Sequence, residues 1–117
     1  MSDEIQVDVQ SVNENTAIIN LAGDVTTFAE KAINDAYKQV SGDGANNIIF
    51  NFRENDYINS AGIAILIGVV TEARKKNQRL IMAMPSSHFQ KIFRMVGLTQ
   101  YADIYSNLDE ALNEAKP

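Results

Sequence analysis

The chain has 117 residues, 45% of them apolar and 21% charged, and no cysteine. That is the size and composition of one ordinary globular domain, and it excludes disulfides, thiolate nucleophiles and thiolate metal sites. Fifteen acids against ten bases leave a net charge of −5, which speaks against nucleic acid, whose phosphates need a basic face.

Met1-Ser2-Asp3-Glu4 is acidic and carries no apolar signal core. No apolar run approaches the ~20 residues that span a bilayer, so no membrane partner is expected and the expected location is cytoplasmic. Ile5, Val7 and Val9 alternate with Gln6, Asp8 and Gln10, the pattern of a strand with one wet face. Asn13-Glu14-Asn15 is a turn, and Ala17 to Ala22 reads as a second strand, antiparallel to the first across so short a link. Asp24-Val25-Thr26-Thr27 is a polar loop in which Thr26 or Thr27 can cap a helix. Ala29, Ala32, Ile33, Ala36, Tyr37 and Val40 then recur at helical spacing, and Ser41-Gly42-Asp43-Gly44 stops the helix with two glycines suited to left-handed geometry.

Ile48 to Phe52 is almost continuously apolar, as in a strand covered on both faces. A second helix is expected from Ser60 to Lys76, with Ile63, Leu66, Ile67 and Val70 as its inward stripe. Ala64 and Gly68 are small enough to bring it close to the sheet. Arg74, Lys75, Lys76 and Arg79 gather around its end, where cations suit the helix dipole. Leu80 to Met84 is a strand ended by Pro85. Ser86 or Ser87 caps a helix with Phe89, Ile92, Phe93 and Val96 inward, and Gly97 ends it. Ile104-Tyr105 reads as a short last strand. Asn107 or Ser106 caps a final helix that turns Leu108, Ala111, Leu112 and Ala115 inward. The order β-β-α-β-α-β-α-(β)-α predicts a single α/β domain over residues 1–117. Its sheet is mixed, mostly parallel and four- to five-stranded, packed with about four helices.

The stretch Tyr57-Ile58-Asn59-Ser60-Ala61-Gly62 offers a hydroxyl at the tip of a strand–loop–helix unit, where the first backbone N–H groups of a helix lack internal partners. A nucleophilic serine needs a base in reach. The single histidine, His88, falls on the third helix, and Ile58-Asn59-Ser60-Ala61-Gly62 lacks the first glycine of a nucleophile elbow. Glu54 and Asp56 have no third ligand nearby, so no metal site is expected. Neither G-x-G-x-x-G nor G-x-x-x-x-G-K-[ST] occurs, so no nucleotide cofactor is expected either. Two readings of the serine remain: Asn59 and Ser60 simply cap the second helix, or Ser60 receives a small charged modification.

Tyr57-Ile58-Asn59-Ser60-Ala61-Gly62-Ile63 resembles the central signature of the STAS domain family, an apolar residue, Asp, Ser, a small residue, Gly and an aliphatic. Gly23-Asp24-Val25 resembles the family's Gly-acid-Leu approach to its first helix. Phe89 to Leu98 resembles its late helix ending in Gly-Leu, and Asn107 to Leu112 its terminal helix. The resemblance implies a non-enzymatic anti-sigma-factor antagonist of a bacterial partner-switching pathway, without cofactors. Its partners would be an anti-sigma-factor serine kinase, which phosphorylates the serine matched by Ser60, and a PP2C-type phosphatase. Partner binding would fall on Asp24, Thr26, Thr27, Phe28, Tyr57, Asn59, Ser60, Ala61 and Gly62. A STAS module acting as an unphosphorylated scaffold or adaptor, of a transporter or a stressosome-like complex, is the alternative. The chain departs from the family pattern at Asn59, Asn51 and Thr26, where Asp is common, and each change removes an acid near the site.

Overall fold

Val7 and Val9 turn one face of the first strand inward, and the chain doubles back directly after it. In the computed structural model, which describes residues 5–53 and 57–115, β1 (Gln6–Ser11) and β2 (Thr16–Ala22) form that antiparallel hairpin. The strands β3 (Asn47–Arg53), β4 (Arg79–Ala83) and β5 (Ala102–Tyr105) are added one after another, each parallel to its predecessor. The helices α1 (Glu30–Gly42), α2 (Ser60–Lys75) and α3 (Ser87–Met95) make the three crossovers, and α4 (Leu108–Glu114) follows β5.

Strand alternation divides the core into two layers. Ile19, Leu21, Ile48, Phe50, Phe52, Leu80 and Met82 share one buried cluster with Ile33 and Tyr37 of α1, Leu66 and Val69 of α2, and Phe89 and Phe93 of α3. Ile18, Ile49, Ile81 and Ala83 form the other with Ala111 and Ala115 of α4. Three helices therefore cover one face and α4 covers the other, which is why β3 and β4 carry apolar residues on both faces. The strand order β1-β2-β3-β4-β5 never reverses. The fold thus has no topological switch point, where open α/β sheets usually hold their ligands.

Side-chain caps set the helix starts. Asn59 accepts from Gly62 N–H, Ser86 from Phe89 N–H and Asn107 from Glu110 N–H. Gly97, at φ 81°, ends α3 in left-handed geometry, and Asp109 and Glu110 occupy the first turn of α4. Among the four expected basic residues, Arg74 and Lys75 lie in the last turn of α2. Arg79 belongs instead to β4, where its guanidinium holds Asp103 at 2.8 Å and donates to the Glu114 carbonyl, tying β5 and α4 to the sheet.

Five expectations are corrected. Gly42 is helical, and only Gly44 (φ 96°) takes the positive φ expected of both glycines. β4 stops at Ala83, because Met84 turns to φ 61° and is exposed. Val96 caps the end of α3 and is exposed rather than inward. The buried face of α2 is Gly62, Ile65, Leu66, Val69, Val70 and Ala73, so Ile67 points outward and Ile63 is only half-buried. Ala64 and Gly68 are exposed on the far side, and a Cβ on Gly68 would meet nothing within 4 Å. The close approach lies at Gly62.

Candidate functional site

Two loops leave the C-terminal ends of the neighbouring parallel strands β2 and β3 and are joined before either becomes a helix. Val25 and Ile58 form an isolated parallel bridge. Val25 N–H donates to the Tyr57 carbonyl at 2.8 Å, and Asn59 N–H donates to the Val25 carbonyl at 3.3 Å. Both bridge side chains are buried, at 0% and 4% exposure, so Thr26, Tyr57 and Asn59 beside them are presented by a paired backbone. A parallel bridge between residues so far apart in sequence belongs to the tertiary fold and has no local signal.

Gly62 packs against this bridge. A Cβ there would sit 2.0 Å from the Val25 carbonyl oxygen and 3.0 Å from Ile58 Cγ1. Its role is thus to let the first turn of α2 lie on the bridge, which needs the absence of a side chain. Gly62 is buried and offers no surface to a partner, unlike the other residues grouped with it from sequence.

Asn59 is extended (φ −107°, ψ −178°), and its Oδ1 accepts Gly62 N–H at 2.9 Å. Its carbonyl receives Ile63 N–H, the first intrahelical bond of α2. An amide therefore serves where the family commonly has a carboxylate, since either oxygen can cap. Ser60 is the first helical residue and is exposed. Among the described residues the backbone N–H groups of Ser60 and Ala61 have no acceptor. They sit at the positive end of the α2 dipole.

On the β2 side, Thr26 Oγ1 accepts Phe28 N–H at 3.3 Å and shapes a single 3-10 turn over Thr27–Ala29 that leads into α1. Thr26 is the cap of the two threonines proposed from sequence. Asp24, Thr26, Thr27, Phe28, Tyr57 and Asn59 line a common groove of about 230 Å³. Phe28 (87% exposed) and Tyr57 (51%) are its two aromatic walls. Ala61, half-buried, lines a neighbouring groove with Thr27, Glu30, Ala64 and Ile65, so Thr27 belongs to both. Asp24, Thr26, Thr27, Phe28, Tyr57, Asn59 and Ala61 thus line two grooves that meet at Thr27, while Ser60 is exposed between Asn59 and Ala61 in the chain and lines neither.

His88 lies exposed on α3, and Glu54 and Asp56 fall outside the described residues. Among the described residues no three His, Cys, Asp or Glu side chains gather as metal ligands, and no helix is long and apolar enough to cross a membrane.

Asn51, where the family pattern commonly has Asp, belongs to a polar row whose other members the sequence did not connect to it. Asp8, Asn20 and Asn51 are aligned across β1, β2 and β3. Asn20 Nδ2 donates to Asp8 Oδ2 at 3.1 Å, and Asn51 Nδ2 donates to Asn20 Oδ1 at 2.8 Å. The Asp8 oxygen accepts from the Asn20 amide NH2, which fixes the Asn20 carbonyl towards Asn51 and so orients Asn51 in turn. This leaves Asn51 Oδ1 buried with no partner among the described residues. The only signal was an asparagine inside each of two otherwise apolar strands.

The comparisons with known proteins agree with this architecture. Residues 7–111 match the family model of the STAS domain. The chain is 25% identical over 100 residues to the anti-sigma-B factor antagonist of Bacillus subtilis (strain 168), covering 86% of this chain and 90% of that protein. It is similar in structure to an anti-sigma factor antagonist from Mycobacterium paratuberculosis, with TM-score 0.84 and 17% identity over 100% of this chain and 98% of the other. It is also similar to the Bacillus cell fate determinant SpoIIAA in its phosphorylated form, with TM-score 0.76 and 22% identity over 95% of this chain and 100% of the other. At such identities the two structural likenesses show the fold.

Proposed function

This chain belongs to the STAS domain family, and we propose that it acts as an anti-sigma-factor antagonist in a partner-switching pathway. Unphosphorylated, it binds an anti-sigma factor that is also a serine kinase. That kinase transfers the γ-phosphoryl group of ATP to the Ser60 hydroxyl, with ADP and a proton as the other products. The phosphorylated chain is released. A PP2C-type phosphatase then hydrolyses the ester and resets the switch. The chain itself catalyses nothing.

The position of Ser60 carries this reading: an exposed hydroxyl on the first residue of α2, beside two N–H groups with no acceptor among the described residues and between the groove residues Asn59 and Ala61. A phosphoryl group there adds about −1.5 to −2 charge at neutral pH. The N–H groups of Ser60 and Ala61 and the α2 dipole would hold it without moving the cap or the bridge. The fold would persist while the surface changed. A partner packed on Phe28, Tyr57 and Ala61 would then face a bulky hydrated dianion, and each ~1.4 kcal/mol of that penalty weakens binding tenfold. The relative named as an antagonist supports the same reading.

Incubation with the serine kinase and ATP, followed by peptide mass mapping, should place one phosphate on Ser60 and none on the Ser60→Ala variant. A wild-type chain that stays unmodified and binds no anti-sigma kinase sinks the proposal. The amides Asn59 and Asn51, standing where the family commonly has acids, favour a second reading as an unphosphorylated scaffold in a stressosome-like complex or beside a transporter. Ser60→Asp separates the two. It abolishes partner binding in a switch and leaves a scaffold's binding in place.

A further inference from the structure

Phe28 stands at the crest of its 3-10 turn with 87% of its surface exposed, more than any other large apolar side chain among the described residues. Its backbone is nonetheless pinned. Thr26 accepts Phe28 N–H, Ala29 N–H reaches the Thr26 carbonyl at 2.9 Å, and Ala29 itself is buried. Val25 and Ala29 close the core beneath the turn, so the ring contributes little to the chain's own packing. A ring held ready on a rigid turn has large apolar area and little ordering entropy left to lose, which is how interface anchors are built.

We infer that Phe28 is the anchor of the partner interface and inserts into a concave apolar socket on the partner protein. The inference rests on the antagonist reading and adds a division of labour to it: Phe28 supplies affinity, and Ser60 decides whether docking can complete. The shape of the receptor follows from exposure. Tyr57, half-exposed, can be covered by a flat surface. Phe28 projects with most of its ring in water, so only a concavity can remove it from solvent.

Other occupants fit less well. A second copy that seated the ring in the groove beside Phe28 would press it on a lining that includes Asp24, Thr26, Thr27 and Asn59. Drying the Asp24 carboxylate against a benzene ring offers it no new partner, and two chains of charge −5 repel. An anionic lipid surface is opposed by the same charge.

The test is calorimetric titration of the ADP-loaded anti-sigma kinase with wild type, Phe28→Ala, Phe28→Leu and Ser60→Asp. Phe28→Ala should weaken binding at least about thirtyfold, as expected of a hot spot, while Phe28→Leu stays within about fivefold. The melting temperatures of both Phe28 variants should match wild type. If Phe28→Ala binds within about threefold of wild type while Ser60→Asp does not bind, the anchor is refuted and the antagonist reading stands. A wild-type chain that binds no kinase refutes both. A wild-type dimer that Phe28→Ala dissolves in sedimentation refutes the assigned occupant.

Discussion

Alanine at Gly62 and alanine at Gly68 should move stability in opposite directions, although both lie in α2. At Gly62 the new Cβ would meet the Val25 carbonyl oxygen at 2.0 Å, its carbon at 2.7 Å and Ile58 Cγ1 at 3.0 Å. Two of these atoms are backbone, held by the hydrogen bonds that join the loops, so no side chain can rotate away. Overpacking of this kind costs about 1–3 kcal/mol. Forcing the bridge apart forfeits two hydrogen bonds at about 0.5–1.5 kcal/mol each. The better helix propensity of alanine returns about 1 kcal/mol. The net loss is therefore about 1–5 kcal/mol. At Gly68 the residue is exposed and its Cβ meets nothing, so only the propensity gain of about 0.5–1 kcal/mol remains. Urea unfolding followed by circular dichroism reads both, with Gly62→Ala lowering the midpoint by on the order of 1–2 M at unchanged slope. The placement of α2 on the bridge is refuted if Gly62→Ala equals wild type, or if Gly68→Ala is the more damaging change.

The polar row and the buried tyrosine give two further predictions, both read as stability against pH. Asn51→Asp places a carboxyl opposite Asn20 Oδ1, an acceptor whose orientation Asp8 sets. The carboxyl must stay protonated to donate, so its pKa is raised in the folded state. A raised folded pKa contributes stability below the unfolded value, near 3.9, that is lost as pH rises. The deficit against wild type should therefore widen from pH 4 towards pH 7, reaching about 1–3 kcal/mol. A constant deficit would contradict the orientation argued for the row. For Tyr37, burial raises the phenol above its usual 10.0, so the stability of its neutral form is fully present below pH 10 and lost as pH climbs past it. Tyr37→Phe loses the 2.6 Å bond to Gln78, about 1 kcal/mol at neutral pH. That difference from wild type should shrink above pH 10, and parallel curves would count against the assignment.

Much of the fold was legible because its signals are local. The alternation of Val7 and Val9 and the turn Asn13–Asn15 point to the hairpin, and the pairs Thr26 or Thr27, Ser86 or Ser87 and Asn107 or Ser106 point to helix starts, of which Thr26, Ser86 and Asn107 are the caps. The inward face of α2 was misjudged for a physical reason. From Ser60 to Thr71 the helix carries no charge, so periodicity has no polar face to exclude and cannot choose between Ile63–Ile67 and Ile65–Val69. The candidate site was visible as two loop sequences. What joins them, the Val25–Ile58 bridge and the Gly62 contact beneath it, depends on pairing across more than thirty residues of sequence. Asn20 and Asn51 read as interruptions in apolar strands, and only the register across β1, β2 and β3 makes them partners.

The central claim is that a phosphate on Ser60 switches a surface without unfolding it. Its most direct test is to titrate the ADP-loaded anti-sigma kinase with the chain before and after stoichiometric phosphorylation at Ser60, with far-ultraviolet circular dichroism of both forms. The expected outcome is unchanged spectra and binding weakened by about a hundredfold or more. Equal affinity of the two forms, or loss of binding accompanied by loss of helix, would contradict it.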